Sequence, residues 1–227
     1  MFGITKIEGH QVVWHGESLG MYLKEDPDQD YCALALCYRV MVSPFGYGFG
    51  AVILGDPNTP MGWPHKPNFV ITNNFPLMRW LVDNWVSRIP CFKGKPGFEN
   101  MTWKTLQLAT KRPLNYYEPY VLTIKGNGIN VVLTWDEVNE TLSTSAPGEN
   151  NFNGEFDLLT VLIEMKNATI EIDGHQLPGK PVTCVDVVKD PMRSAFLGYV
   201  ETWLESDELD DDELDYDDDD DDDDDDY

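Results

Sequence analysis

Three residues of this chain are candidates for acid–base chemistry: Glu201, together with Arg39 or His15. Glu201 stands in "GYVETWLES", a run with the composition of a β-strand. Side chains alternate between the faces of a strand. Tyr199, Glu201 and Trp203 are therefore expected on one face, and Phe196, Gly198, Val200 and Thr202 on the other. A carboxyl group enclosed by aromatics loses hydration, which raises its pKa and suits it to act as an acid, a base or a ligand anchor. On an outward face the same residue is an ordinary solvated group. Arg39 lies in the apolar run "CYRVMV", where a buried cation needs a carboxylate partner. Glu201 is one candidate for that partner. His15 and Glu17 are two apart in "VWHGES", hence on one strand face, and a histidine beside a carboxylate makes a base poised near neutral pH. The plainer reading is a surface pair at a strand end.

Candidate ligand-binding residues are aromatic. Trp63 and His65 share the loop "LGDPNTPMGWPHKPN" (54–68), whose four prolines leave little conformational entropy to lose when something binds. Tyr199 and Trp203 would line a cavity if their face turns inward. No metal site is expected: the histidines at 10, 15, 65 and 175 are scattered, and H-E-x-x-H and C-x-x-C are absent. No cofactor is expected either. There is no Walker loop, no G-x-S-x-G, and no helix after the glycines of "GYGFG" (46–50) to aim amides at a phosphate, so that stretch reads as a turn.

The chain has 227 residues and a net charge of −24. Residues 207–227 hold 17 of the 40 acidic residues and no Lys or Arg, leaving residues 1–206 at −7. Neither part has the basic excess of a generic nucleic-acid binder. Cys32 and Cys37 are an odd number apart, on opposite faces of an extended strand, and should not bridge one another. With no secretion-type N-terminus and no apolar run near the ~20 residues of a membrane span, free thiols in a cytoplasmic protein are expected. The N-x-S/T matches at Asn100, Asn139 and Asn167 are then chance occurrences.

Elements that must position these residues read mainly as strands. "QVVWH" (11–15), "YCALALCYRVMV" (31–42), "GFGAVILG" (48–55) and "NFVIT" (68–72) come first. "YVLTIKGNGINVVLTW" (120–135) is a hairpin, with Gly126-Asn127-Gly128 supplying the turn. "DLLTVLIEM" (157–165) and "ATIEID" (168–173) suggest a second hairpin through Lys166-Asn167, with Asp173-Gly174 opening the next turn. "PVTCVDVV" (181–188) and "SAFLGYVETWL" (194–204) follow, and "TSAPGENNFNG" (144–154) reads as a flexible connection. One segment differs. "PLMRWLVDNWVSRI" (76–89) repeats apolar residues with helical spacing between Pro76, suited to a first turn, and Pro90, which ends the pattern. Arg79 and Asp83 are spaced to pair on its polar face. The expected fold is mainly β: a single antiparallel β-barrel or strongly curved sheet with one packed amphipathic helix, a two-layer sandwich being the alternative. Residues 1–206 form the globular domain and 207–227 an acidic tail.

Ten consecutive aspartates (217–226) cannot collapse, so the tail is expected to stay extended, reaching up to ~70 Å at ~3.3 Å per residue. It would serve as a solubilising brush, a mimic of a nucleic-acid strand, or a loose attractor of cations. Asp217 to Asp226 supply the charge, and Tyr216 and Tyr227 supply rings that a docking peptide would use as anchors. Over residues 207–227 alone, the chain resembles the C-terminal tails of bacterial and phage single-stranded-DNA-binding proteins. Those are acidic, end in an aromatic residue and dock onto replication partners; their last residue is usually Phe, where this chain has Tyr227. The locally basic, aromatic stretch "TWKTLQLATKRPLNYY" (102–117) offers a stacking surface from Trp63, Trp103 and Tyr116/Tyr117 near Lys104, Lys111 and Arg112.

Two function classes emerge. One is a protein holding a small apolar or amphipathic ligand in an aromatic-lined cavity, with acid–base chemistry by Glu201 and Arg39 or His15 if the ligand is transformed. The other is an interaction protein acting through its tail: a single-strand binder, a nucleic-acid mimic or a chaperone whose partner is a basic protein surface.

Overall fold

The computed structural model describes residues 10–60, 62–63, 65–112, 118–147, 156–184 and 191–206. Nine long strands carry the fold: β1 (His10–Lys24), β2 (Ala33–Val42), β3 (Gly48–Leu54), β4 (Lys66–Thr72), β5 (Thr102–Arg112), β6 (Tyr120–Gly126), β7 (Ile129–Ala146), β8 (Phe156–Ile172) and β9 (Ala195–Ser206). Pairing runs β8–β9–β1–β2–β3–β4–β5–β6–β7, and β7 pairs back onto β8. The curved sheet thus closes into a ring of nine strands rather than splitting into two separate layers. Closure matters because an open edge is a row of unpaired N–H and C=O groups.

Eight of these neighbouring pairs are antiparallel; β4 and β5 run parallel, with Phe69 opposite Thr102. A parallel pair requires a crossover, which here holds the helix α1 (Phe75–Asn84). Asn74 caps α1: its side chain accepts from the Leu77 N–H at 3.2 Å and donates to the carbonyls of Phe45 and Tyr47. The α-helix ends earlier than the spacing of 76–89 suggests. Trp85 leaves helical geometry (φ −124°, ψ −70°), and a 3₁₀ turn continues at Val86–Arg88. Arg79 lies with its guanidinium 4.5 Å from the centre of the Trp103 ring, so a cation–π contact takes the role expected of an Asp83 pair.

Hydrophobic residues fill both faces of the sheet. Inside the ring lie Leu19, Met21 and Leu23 of β1, Ala33, Ala35 and Cys37 of β2, and the rings of Tyr120 and Trp135. Trp135 donates its indole N–H to the Gly20 carbonyl at 2.9 Å, satisfying its one polar atom in the interior. Outside, Leu34, Leu36, Tyr38 and Val40 of β2 pack with Leu77, Met78, Leu81 and Val82 of α1 and with Trp85, Trp14 and Trp203. This two-sided burial explains why β2 reads as a continuous apolar run. Of the glycines in "GYGFG", Gly46 makes the expected turn at φ +79°. Gly48 and Gly50 belong to β3, where a Cβ would meet Asn74, Leu77 or Met78; their bareness lets the helix sit close.

The hairpin at 120–135 forms as expected, with Gly128 at φ +70° in the turn. Asp173-Gly174 also turns the chain, at φ +50° and +83°. A second hairpin at Lys166-Asn167 does not form. Residues 156–172 are one unbroken strand, because neither residue adopts positive φ. Both instead reach across to Glu137 of β7, Lys166 at 2.6 Å and Asn167 at 3.4 Å; Glu137 takes φ +59° just before the register of β7 shifts between Val138 and Glu140. The short "QVVWH" strand is likewise only the start of β1. Residues 144–146 continue β7, and of 181–188 only Pro181 and Thr183–Cys184 are in strand, residues 185–190 lying outside the described set. None of the four cysteines is in a disulfide. No helix among the described residues is long and apolar enough to cross a membrane.

Asn74→Ala removes a helix cap and both anchors of the 43–47 loop. Urea unfolding should show a loss of about 1–2 kcal/mol with an unchanged m-value.

Candidate functional site

A register break decides which side chains meet. Between Gly16–Ser18 of β1 and Gly198–Glu201 of β9, one residue, Glu17, stands opposite two, Tyr199 and Val200. Val200 takes a positive φ of +58°, a conformation that β-branched residues rarely adopt. The bulge breaks the alternation expected along this strand. Tyr199 packs with the core inside the ring, whereas Trp203 joins Phe196 in the core outside it. Glu201 lines the outer cleft, so Tyr199 does not share a face with Glu201 and Trp203.

Glu201 therefore enters the seam between the sheet and α1. It faces Ser18, Tyr38 and Trp85 in a cleft that also receives Thr160, Leu162 and Phe196. Ser18 donates its hydroxyl to one carboxylate oxygen, and the Trp203 indole N–H donates to the other at 2.8 Å. Loss of hydration pushes the Glu201 pKa up to about 7, against the opposing effect of the Trp203 hydrogen bond. Tyr38, buried beside it, is held well above the ordinary phenol range by burial and then by the Glu201 charge. His15 lines a separate, smaller pocket that shares Tyr38 and Glu201 with this cleft, and its Nδ1 is 3.0 Å from the Thr202 hydroxyl.

Arg39 is elsewhere. It faces the ring interior and donates to Glu17 at 3.0 Å, so the pairing of Arg39 with Glu201 is replaced by a pairing with Glu17. The Glu17 carboxylate is thereby committed to Arg39 rather than to His15, and its second oxygen lies 3.8 Å from Lys111 Nζ. These three charged groups stand at the mouth of a cavity of about 270 Å³, whose other walls are Leu19, Cys37, Phe49, Ala109, Tyr120 and Leu122. Burial raises the pKa of Tyr120 and of Tyr199, and the Glu17 charge adds to both, so each phenol keeps its proton. Burial alone raises the Cys37 thiol, which leaves it unreactive.

His65 lines neither place. The backbone of Trp63 pairs with Lys66 at the start of β4, the opposite end from Thr72, and the Trp63 side chain is outside the described set. The His65 ring stacks on His175 at 4.0 Å. In the basic stretch, Trp103 is half-buried beneath Arg79 and against Phe75, and Tyr116 and Tyr117 are outside the described residues. Asp217, Asp226, Tyr216 and Tyr227 also lie outside them. Sequence reasoning missed Lys111 and Tyr120 as cavity residues. Their signal was faint: each is an inward position of a strand whose partner across the ring is far away in sequence. No protein-family model, curated protein or solved structure matches this chain.

The raised Glu201 pKa gives stability a pH dependence of definite sign. Well below pH 4.5 both the folded and the unfolded carboxyl are protonated; as pH rises through 4.5 towards 7 the unfolded state ionises first, and stability falls. At ~1.4 kcal/mol per unit the loss is about 3 kcal/mol, levelling off above pH 7. Urea titrations across this range should show the decline in the wild type and a flatter profile in Glu201→Gln.

Proposed function

We propose that the protein binds a small, partly apolar ligand inside its strand ring. The observation that supports this reading is the cavity of about 270 Å³ with an apolar floor and a charged mouth. Its size is just below the ~300–1,000 Å³ of clefts that hold drug-sized molecules, which favours a ligand smaller than a nucleotide. The floor of Leu19, Phe49 and Leu122 offers contact without hydrogen-bonding demands, while Glu17, Arg39, Lys111 and the Tyr120 phenol supply a few orienting groups. That division is the usual one in ligand sites. Surrounding β-strands keep the walls in place before the ligand arrives, which lowers the ordering cost of binding. The outer cleft holds the stronger proton donor, Glu201, but less free space, with aromatic packing around it. The competing reading, an interaction protein working through its acidic tail, rests on the composition of residues 207–227 alone.

Ala109 is exposed on β5 at the cavity wall, so Ala109→Trp should fill the space without disturbing the core. In ligand-observed NMR with a library of small fragments, the wild type should bind several and Ala109→Trp none of these. Binding that survives the filling, or no binding by the wild type, counts against the assignment.

A further inference from the structure

We propose that the ligand is an amphipathic monoanion, its acid group held between Arg39 and Lys111 and its apolar body lying on Leu19, Phe49 and Leu122. This rests on the cavity reading above and adds the class of molecule. Three formal charges line the cavity: two cations and the single carboxylate of Glu17. The local excess is one positive charge, in a globular part whose net charge is −7. A ligand with one negative charge cancels that excess, whereas an amine would face both cations.

Geometry supports the same class. One carboxylate cannot serve both cations equally: Glu17 is 3.0 Å from Arg39 Nη2 but 3.8 Å from Lys111 Nζ. Arg39 and Lys111 keep 46% and 41% of their side-chain surface open to solvent, against 19% for Glu17. The cations are thus accessible from the mouth, and the carboxylate sits behind them as an internal stand-in for the ligand's own head group. An arriving anion can engage the free donors of the planar Arg39 guanidinium and the under-used Lys111 ammonium. Tyr120, protonated at any ordinary pH, is a neutral donor on the same wall. Below this polar ring the lining turns apolar through Leu19, Phe49 and Leu122, so the non-polar end of the ligand points inward. Carboxylate and sulfate heads share this chemistry, and the two are separated only by experiment.

The test is calorimetric titration of the full chain with four probes of one tail length: octanoate, octyl sulfate, octan-1-ol and octylamine. Octanoate or octyl sulfate should bind at least tenfold more tightly than octanol, and octylamine should not bind. Arg39→Gln and Lys111→Gln should each weaken the anion by roughly tenfold or more, the range of one charge-assisted hydrogen bond, while leaving octanol unchanged. Glu17→Gln should tighten the anion, because it removes the internal competitor; a merely structural Glu17 would not do this. If Arg39→Gln unfolds, the exposed Lys111→Gln carries the comparison. Octanol or octylamine binding as tightly as the anions, with all four abolished by Ala109→Trp, would overturn the anion assignment and leave the cavity reading standing. Failure of every probe to bind would overturn both.

Discussion

The bulge at Val200 is the constraint on which the chemistry of this protein depends. A regular strand sends every second side chain to the same face. Without the extra residue opposite Glu17, Tyr199, Glu201 and Trp203 would share one side of the sheet, and a carboxylate would stand among the inward phenols. With it, β9 places a phenol inside the ring and an acid and an indole outside. The left-handed conformation of a β-branched residue costs on the order of 1–3 kcal/mol. The surroundings offset that cost: Ser18 and Trp203 satisfy the carboxyl group, and Tyr199 fills space beside Tyr120. On the other side of β1, where its register with β2 also shifts, Gly16 is bare because a Cβ there would run into the Arg39 carbonyl.

Around this break the fold is organised by burial on both faces. The ring has an inner core, plugged at its centre by Trp135 and its bond to Gly20. The outer core is roofed by α1 and the Trp85–Phe92 segment, with Trp14 stacked against Trp80 at 4.8 Å and Trp85 beside Trp203 at 4.1 Å. Each core holds polar chemistry at its margin. Outside, Glu201 is desolvated until it titrates near neutrality. Inside, two cations share one carboxylate at a solvent-facing mouth. The two arrangements are back to back on β1, through Ser18 on one side and Glu17 on the other.

The order of the strands bears on the cavity as well. β5 enters the ring through the one parallel pairing and runs on past the end of β4, so Ala109 and Lys111 extend to pair with β6 alone. Both residues line the cavity on that stretch of β5.

Local patterns made much of the fold legible. The run from Ala33 to Tyr38 reads as a strand covered on both sides, the glycines at 126 and 128 as the signal of a tight turn, and Pro76 to Pro90 as the brackets of a helical stretch. These follow from steric limits on φ and from hydrophobic period, which act within a few residues. Residues 166–167 misled, since a polar pair suggests a turn but a turn needs positive φ. The composition of the chain also concentrates acidic charge in residues 207–227 and leaves residues 1–206 at −7. What the tertiary structure alone decided is the company each polar group keeps: Arg39 with Glu17 and Lys111, Glu201 with Ser18 and Trp203. Those partners come from strands remote in sequence, and one inserted residue in β9 reverses which face each of them shares. No local pattern encodes that reversal, because a bulge is set by the register of two strands and not by either one.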